Sequence, residues 1–147
     1  MNFLIEYSTE NDIFDQAWQI RKKVFCEEQK YPEEDEYDKY DSTSFHVIGF
    51  ENDLVVCCAR ILEKEDGWYI GRIAVLKQFR GKGIGHKLIN FLEEFIKKNF
   101  NATEIFLNAQ ETVLNLYRKN GFEVISDKFL DGEIWHFKMK KNLKINK

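Results

Sequence analysis

Between Gln78 and Leu88 the chain reads QFRGKGIGHKL, which sets glycines at 81, 83 and 85. Immediately before it, WYIGRIAVL reads as a strand. Immediately after it, Ile84, Leu88, Leu92, Phe95 and Ile96 recur at helical spacing, with Ile89 and Phe91 widening the stripe. A glycine inside a helix costs about 1 kcal/mol relative to alanine, so three at alternate positions need a cause. A strand feeding a glycine turn and then a helix builds an anion site. The first helical N–H groups lack intrahelical partners, and the helix dipole favours negative charge there. Glycine lets that backbone approach a phosphate closely. Arg80, Lys82 and Lys87 add positive charge. A ligand-free turn needs only one such residue, so the pattern favours phosphate binding.

The flanking segments set the fold class. Phe3–Tyr7 reads as a short strand, and Thr9 with Asp12 as a helix cap. Ile13, Ala17, Ile20 and Val24 form a helical stripe, followed by a loop over 29–41. FHVIGF and LVVCCARILE form a hairpin about Glu51–Asp53, and Asp66-Gly67 turns into the third strand. EIFLNAQ is a buried strand, and ETVLNLYRKN a short helix stopping at Gly121. GFEVISDKFL and GEIWHFKMKK close the chain as a hairpin about Asp131-Gly132, with Trp135, Phe137 and Met139 on one face. The order β-α-β-β-β-α-β-α-β-β gives one α/β (α+β) domain over 1–147, a central mixed sheet flanked by helices.

Composition bounds the function. With 44% hydrophobic and 15% aromatic residues, the 147-residue chain is a folded globular protein. No apolar run is long enough to span a bilayer, and MNFLIEYSTENDIF lacks the basic start of a signal peptide. Cys26, Cys57 and Cys58 suit neither a disulfide framework nor a zinc site, which points to no metal and a reducing, cytoplasmic setting. The net charge of −3 conceals a stretch, 27–41, with eight acids and two lysines. No basic footprint for nucleic acid is present, and the tail KMKKNLKINK reads as a frayed terminus. The acidic stretch reads either as a solvated loop or as a surface that steers a cationic amine.

The loop fits neither of the more familiar nucleotide patterns. A P-loop needs GxxxxGK[ST], and a dinucleotide fingerprint needs GxGxxG. Arg80-Gly81-Lys82-Gly83-Ile84-Gly85 instead matches (Q/R)-x-x-G-x-(G/A). Preceded by RIAVLKQF and followed by NLYRKNGF at 115–122, it resembles the acetyl-CoA loop and second signature of the GNAT superfamily of N-acetyltransferases over nearly the whole chain. VFCEEQ, the acidic stretch ending at Asp41, and His46 are similar to the ElaA/YjcF-like branch, near small hexosamine-phosphate N-acetyltransferases.

The resemblance implies a GNAT fold in which Ile73-Ala74-Val75 splays from Leu107-Asn108-Ala109 and pantetheine inserts between them. It implies that an N–H near Val75 polarises the thioester carbonyl and that the Lys82–Gly85 N–H groups, with Gly81 and Arg80 beside them, hold the pyrophosphate. Tyr117 matches the family's tyrosine beside the sulfur, so it is the expected general acid. Glu28 and His46, with Asp41 third, are candidate bases, and a water relay is an alternative. Asn108 and Asn115 are candidate cofactor contacts, although Gln110 and Asn115 depart from the signature's Asn and Ala. The implied activity is acetyl transfer from acetyl-CoA to a primary amine of a small molecule, such as glucosamine 6-phosphate. A polyamine or peptide amine, or a non-catalytic acyl-CoA-binding module, is the alternative. Arg21, Lys22, Lys23, Arg60 and Arg72 are the cations available for a substrate phosphate. A homodimer is common in such folds, but no stretch specifies an interface.

Overall fold

The computed structural model describes residues 1–143. Strand β1 (Asn2–Tyr7) leads into helix α1 (Asp12–Arg21). The helix is capped at Asn11, not at Thr9, because the Asn11 Oδ1 accepts the Phe14 N–H at 2.8 Å. Phe14, Ala17 and Ile20 bury one face. The stripe continues to Val24 through a π-helical stretch, Lys22–Glu28. Wider turns of this kind are rare and concentrate at functional sites.

The acidic stretch is not the solvated loop that its composition allows. It forms α2 (Glu33–Glu36) and a 3-10 turn, Asp41–Thr43, and buries Glu36 and Asp41 to 2% and 0% exposure. Strands β2 (Phe45–Glu51), β3 (Leu54–Lys64) and β4 (Gly67–Val75) follow as an antiparallel meander. Past the glycine loop come α3 (Ile84–Phe100), β5 (Glu104–Gln110) and α4 (Leu114–Lys119). The last elements are β6 (Glu123–Val124), β7 (Phe129–Asp131) and β8 (Ile134–Asn142).

The sheet order is β1-β2-β3-β4-β5-β8-β6, with β7 added to β8. Among the described residues only β4 and β5 pair in parallel, so the sheet is mixed and mostly antiparallel, as expected. Adjacent Cys57 and Cys58 lie in different apolar clusters, because successive strand residues face opposite sides. The Cys57 side packs with Leu88, Ile89, Leu92 and Ile96 of α3, and the Cys58 side with Ala17 and Ile20 of α1. Burying each such aliphatic side chain contributes about 1.5–3 kcal/mol. Trp68 stacks on Phe100 at 3.8 Å and fixes the far end of α3.

Two expectations at the C-terminus change. The segment before Gly132 is not one strand of a hairpin: β6 and β7 pair separately with β8, at Met139–Lys140 and Ile134–His136. Trp135, Phe137 and Met139 alternate as expected, yet Trp135 is 42% exposed, whereas His136 on the other face is buried. Residues 138–142 of the expected frayed tail belong to β8, and 144–147 lie outside the described residues.

Candidate active site

Strands β4 and β5 pair only at Trp68↔Ile105 and Tyr69↔Phe106 and then diverge. The expected splay, between Ile73–Val75 and Leu107–Ala109, is therefore present. Arg72 accompanies it with a φ of 49°, beside a bulge where the β3–β4 register shifts between Cys58 and Arg60. Beyond the bulge the Leu76 N–H donates to the Val56 carbonyl at 2.9 Å. Main-chain groups alternate sides along a strand, so those of Val75 face the gap. Its carbonyl accepts from Arg80 Nε at 2.9 Å.

The gap opens into a cavity of about 620 Å³, lined by Ile70–Val75, Leu107, Asn108, Arg80, Gly81 and Gly83–His86. Gly81 and Gly83 have φ of 78° and 79°, a region that costs an L-residue about 1–2 kcal/mol. Open space lies where a Cβ would stand on either. Gly85 is an ordinary helical residue, and its added Cβ would meet Leu116 at 3.5 Å. The first intrahelical bond, Lys87 N–H to the Gly83 carbonyl at 3.2 Å, leaves the N–H groups of Ile84, Gly85 and His86 free of helical partners. These donors suit a pyrophosphate, and the gap suits an extended amide chain. Lys82 and Asn115 do not line the cavity; the Lys82 ammonium instead lies 5.4 Å from the Phe79 ring centre.

Tyr117 lines the cavity from α4 and is buried beside Phe122, with ring centres 6.2 Å apart. Burial pushes its phenol pKa upward, so it stays protonated at neutral pH. Glu28 lines the cavity at the end of the π-helical stretch, but Arg80 engages both its oxygens, at 2.6 and 2.9 Å. That hydrogen bonding holds its carboxyl below the usual range.

His46 and Asp41 are not in the cavity. His46 is fully buried and donates from Nε2 to the Asp41 carbonyl at 2.8 Å, while Nδ1 is buried without a partner. Desolvation lowers its pKa and keeps it neutral. Such a ring has no route to a substrate proton, which removes the geometric basis for its candidacy as base. Asp41 accepts from Arg21 at 2.7 Å and Arg60 at 3.0 Å, and is held at a pKa of about 2 by Arg21 against the opposing effect of burial.

The arginines considered for a substrate phosphate do converge, but on carboxylates. Arg21 Nε donates to Glu36 at 2.7 Å, Arg60 to Asp38 at 2.8 Å, and Arg72 Nη2 to Asp38 at 3.2 Å. The network pins the acidic stretch to the α1 face of the sheet, where Glu36 and Arg72 form part of the cavity wall. Polar wall residues that the sequence reading did not single out as site residues include Gln29, Tyr31, His86, Gln110, Asp131 and His136. Gln110 donates to Gln29 at 3.0 Å, and Gly132 packs so closely on Tyr31 that a Cβ would fall 2.6 Å from its ring. The Asp131-Gly132 turn signalled the hairpin, but nothing in the alternation of β8 marked His136.

A mixed sheet split beside a glycine loop, with a buried tyrosine at the split, defines an acyl-CoA-dependent acyltransferase. The acetyltransferase (GNAT) domain model matches residues 6–143, and the chain belongs to that family. Within it the chain falls in the ElaA/YjcF-like branch. It is 34% identical over 127 residues to the uncharacterized N-acetyltransferase YjcF of Bacillus subtilis, covering 86% of this chain and 90% of that one. Against the protein ElaA of Escherichia coli it is 30% identical, covering 85% and 84%. The ElaA crystal structure superposes with a TM-score of 0.84 at 28% identity, covering 96% and 99%. An aminoglycoside 6'-N-acetyltransferase complexed with coenzyme A shares the fold alone, with a TM-score of 0.69 at 15% identity over 95% and 96%.

Proposed function

We propose that this chain transfers an acetyl group from acetyl-CoA to a small primary amine that is cationic and carries no phosphate. The observation that carries the reading is the β4–β5 gap, whose cavity is lined by the glycine loop and by the carboxylates of Glu28, Glu36 and Asp131. Ile73–Val75 and Asn108 would hold the pantetheine amides as an added strand, and the N–H groups of Gly83–Gly85 the pyrophosphate. The Val75 N–H, aimed into the gap, would stabilise the oxyanion. The Tyr117 hydroxyl would protonate the departing sulfur.

The charges of the wall favour a cation: Arg80 is paired with Glu28 and Arg72 with Glu36 and Asp38, which leaves the Asp131 carboxylate without an arginine partner among the described residues. A phosphate would have to break one of those pairs, so glucosamine 6-phosphate is a poorer fit than a polyamine or a peptide amine. The test is free-thiol release from acetyl-CoA with spermidine, a lysine peptide, glucosamine and glucosamine 6-phosphate. Faster release with an unphosphorylated amine than with glucosamine 6-phosphate supports the reading. Absence of release with every amine would leave a non-catalytic acyl-CoA-binding module.

A further inference from the structure

We propose that Nε2 of His136 accepts the proton from the attacking amine, an assignment that rests on the acetyltransferase reading above. His136 is the second residue after Ile134 at the start of β8, 8% exposed, and lines the cavity. Its ring stacks on Phe129 with centres 5.9 Å apart. Its Nδ1 lies 2.8 Å from the Ile134 carbonyl. A carbonyl only accepts, so Nδ1 carries the hydrogen and Nε2 of the neutral ring holds a lone pair. Nε2 has no hydrogen-bond partner among the described residues. His46 has the reverse arrangement, with Nε2 donating and Nδ1 sealed in the core.

Position supports the role. His136 stands opposite Gln110 in the β5–β8 register, so their side chains share a face. Gln110 is tied to Gln29 at the end of the π-helical stretch, which places this face on the α1 side. Met139, three residues on, faces the α3 core with Tyr117. The proton acceptor and the proton donor thus approach the split from opposite sides. An amine entering from the α1 side meets His136, while the sulfur leaves toward Tyr117.

The other titratable groups in the wall are less suited. His86, in the first turn of α3, already uses its Nδ1 lone pair to accept the Asn120 amide N–H at 2.8 Å. Glu28 is bonded to Arg80, and Glu36 lies between Arg21 and Arg72. Arg72 is paired with Glu36 and Asp38, Tyr31 is a phenol pushed above its ordinary value by burial, and Tyr117 is committed to the sulfur. Asp131 lies at the hairpin turn, where it suits attraction of the ammonium.

In the step, the ammonium first gives one proton to solvent, the neutral nitrogen then bonds to the acyl carbon, and one remaining N–H proton passes to Nε2. The carbon–sulfur bond then breaks, and sulfur takes the Tyr117 hydroxyl proton. The imidazolium releases its proton to solvent and the phenolate recovers one, so amine and thioester give amide and thiol.

His136→Asn keeps a donor for the Ile134 carbonyl and removes the base. We expect kcat to fall at least 100-fold at pH 7, with thermal stabilisation by acetyl-CoA retained. Turnover within threefold of native overturns the assignment. Should His136→Asn fail to fold, ¹⁵N imidazole NMR of the native chain decides: a protonated Nδ1 with bare Nε2 supports the proposal, and an Nε2–H tautomer overturns it. Native thiol release that persists in His136→Asn removes this inference alone, whereas absence of native release with every amine removes the acetyltransferase reading and the inference with it.

Discussion

The Arg80 guanidinium grips the Glu28 carboxylate through two bonds, at 2.6 and 2.9 Å, while its Nε holds the Val75 carbonyl at 2.9 Å. One side chain therefore ties the glycine loop to the end of β4 and to the π-helical stretch. The arrangement makes Arg80 a brace of the gap and leaves Glu28 a poor base, since the hydrogen bond lowers its proton affinity. Glu28→Gln should cost less than about tenfold in kcat, well below the 10²–10⁴-fold typical of a lost general base. Both partners are substantially exposed, with side chains at 40% and 35%, so stability should change by no more than about 1 kcal/mol. Thiol-release kinetics and urea melts check both, and a loss beyond 100-fold in kcat would restore Glu28 as the base.

Tyr117→Phe removes only the hydroxyl and keeps the buried ring. We expect kcat to fall about 100-fold, as for loss of a positioned proton donor, with little change in acyl-CoA affinity. Steady-state kinetics together with a binding titration separate the two effects. Unchanged turnover would take the hydroxyl out of the reaction.

The three glycines should respond unequally. Gly83→Ala forces an L-residue to a φ of 79°, so it should lose about 1 kcal/mol of stability and a larger share of its acyl-CoA affinity. Gly85→Ala sits within α3 with only an ordinary contact to Leu116. It should be neutral to stabilising by about 1 kcal/mol. Denaturant melts of both variants, with and without CoA, provide the comparison.

Acid should unfold the chain in two stages. The folded pKa of His46 is lowered, so its contribution is complete above the unfolded value of about 6.5 and is lost as pH falls through that range. The folded pKa of Asp41 is about 2, so its contribution is complete above the unfolded value of about 3.9 and disappears as pH falls toward 2. The urea midpoint should fall first below pH 6.5 and again below pH 4. Asp41→Asn leaves Arg21 and Arg60 short of a counter-charge and should cost about 3–5 kcal/mol at pH 7. A midpoint flat from pH 7 to pH 3 would contradict this role for both groups.

Local chemistry made much of this legible in the sequence. Period and turn residues located nearly every strand and helix, and the glycine loop announced the anion end of the cavity. The β4–β5 split, by contrast, came from a family resemblance, because no residue type encodes where two strands cease to pair. The carboxylate–arginine network was hidden because its partners lie 15 to 36 positions apart, on separate elements. The two strand histidines illustrate the same limit. Phe45–Glu51 is a central strand, and His46 through Gly49 are buried on both faces, so alternation cannot tell an enclosed His46 from a cavity-facing one. On β8 the apolar Trp135, Phe137 and Met139 drew the core to their own face and obscured His136.

The most direct measurement is an amide chemical-shift titration of the isotopically labelled chain with CoA. If the β4–β5 gap and the glycine loop form the cofactor site, the largest shifts should cluster at Ile73–Val75, Gly81–His86 and Asn108, saturating at one CoA per chain. An absence of saturable shifts, or shifts concentrated away from these residues, would contradict the assignment.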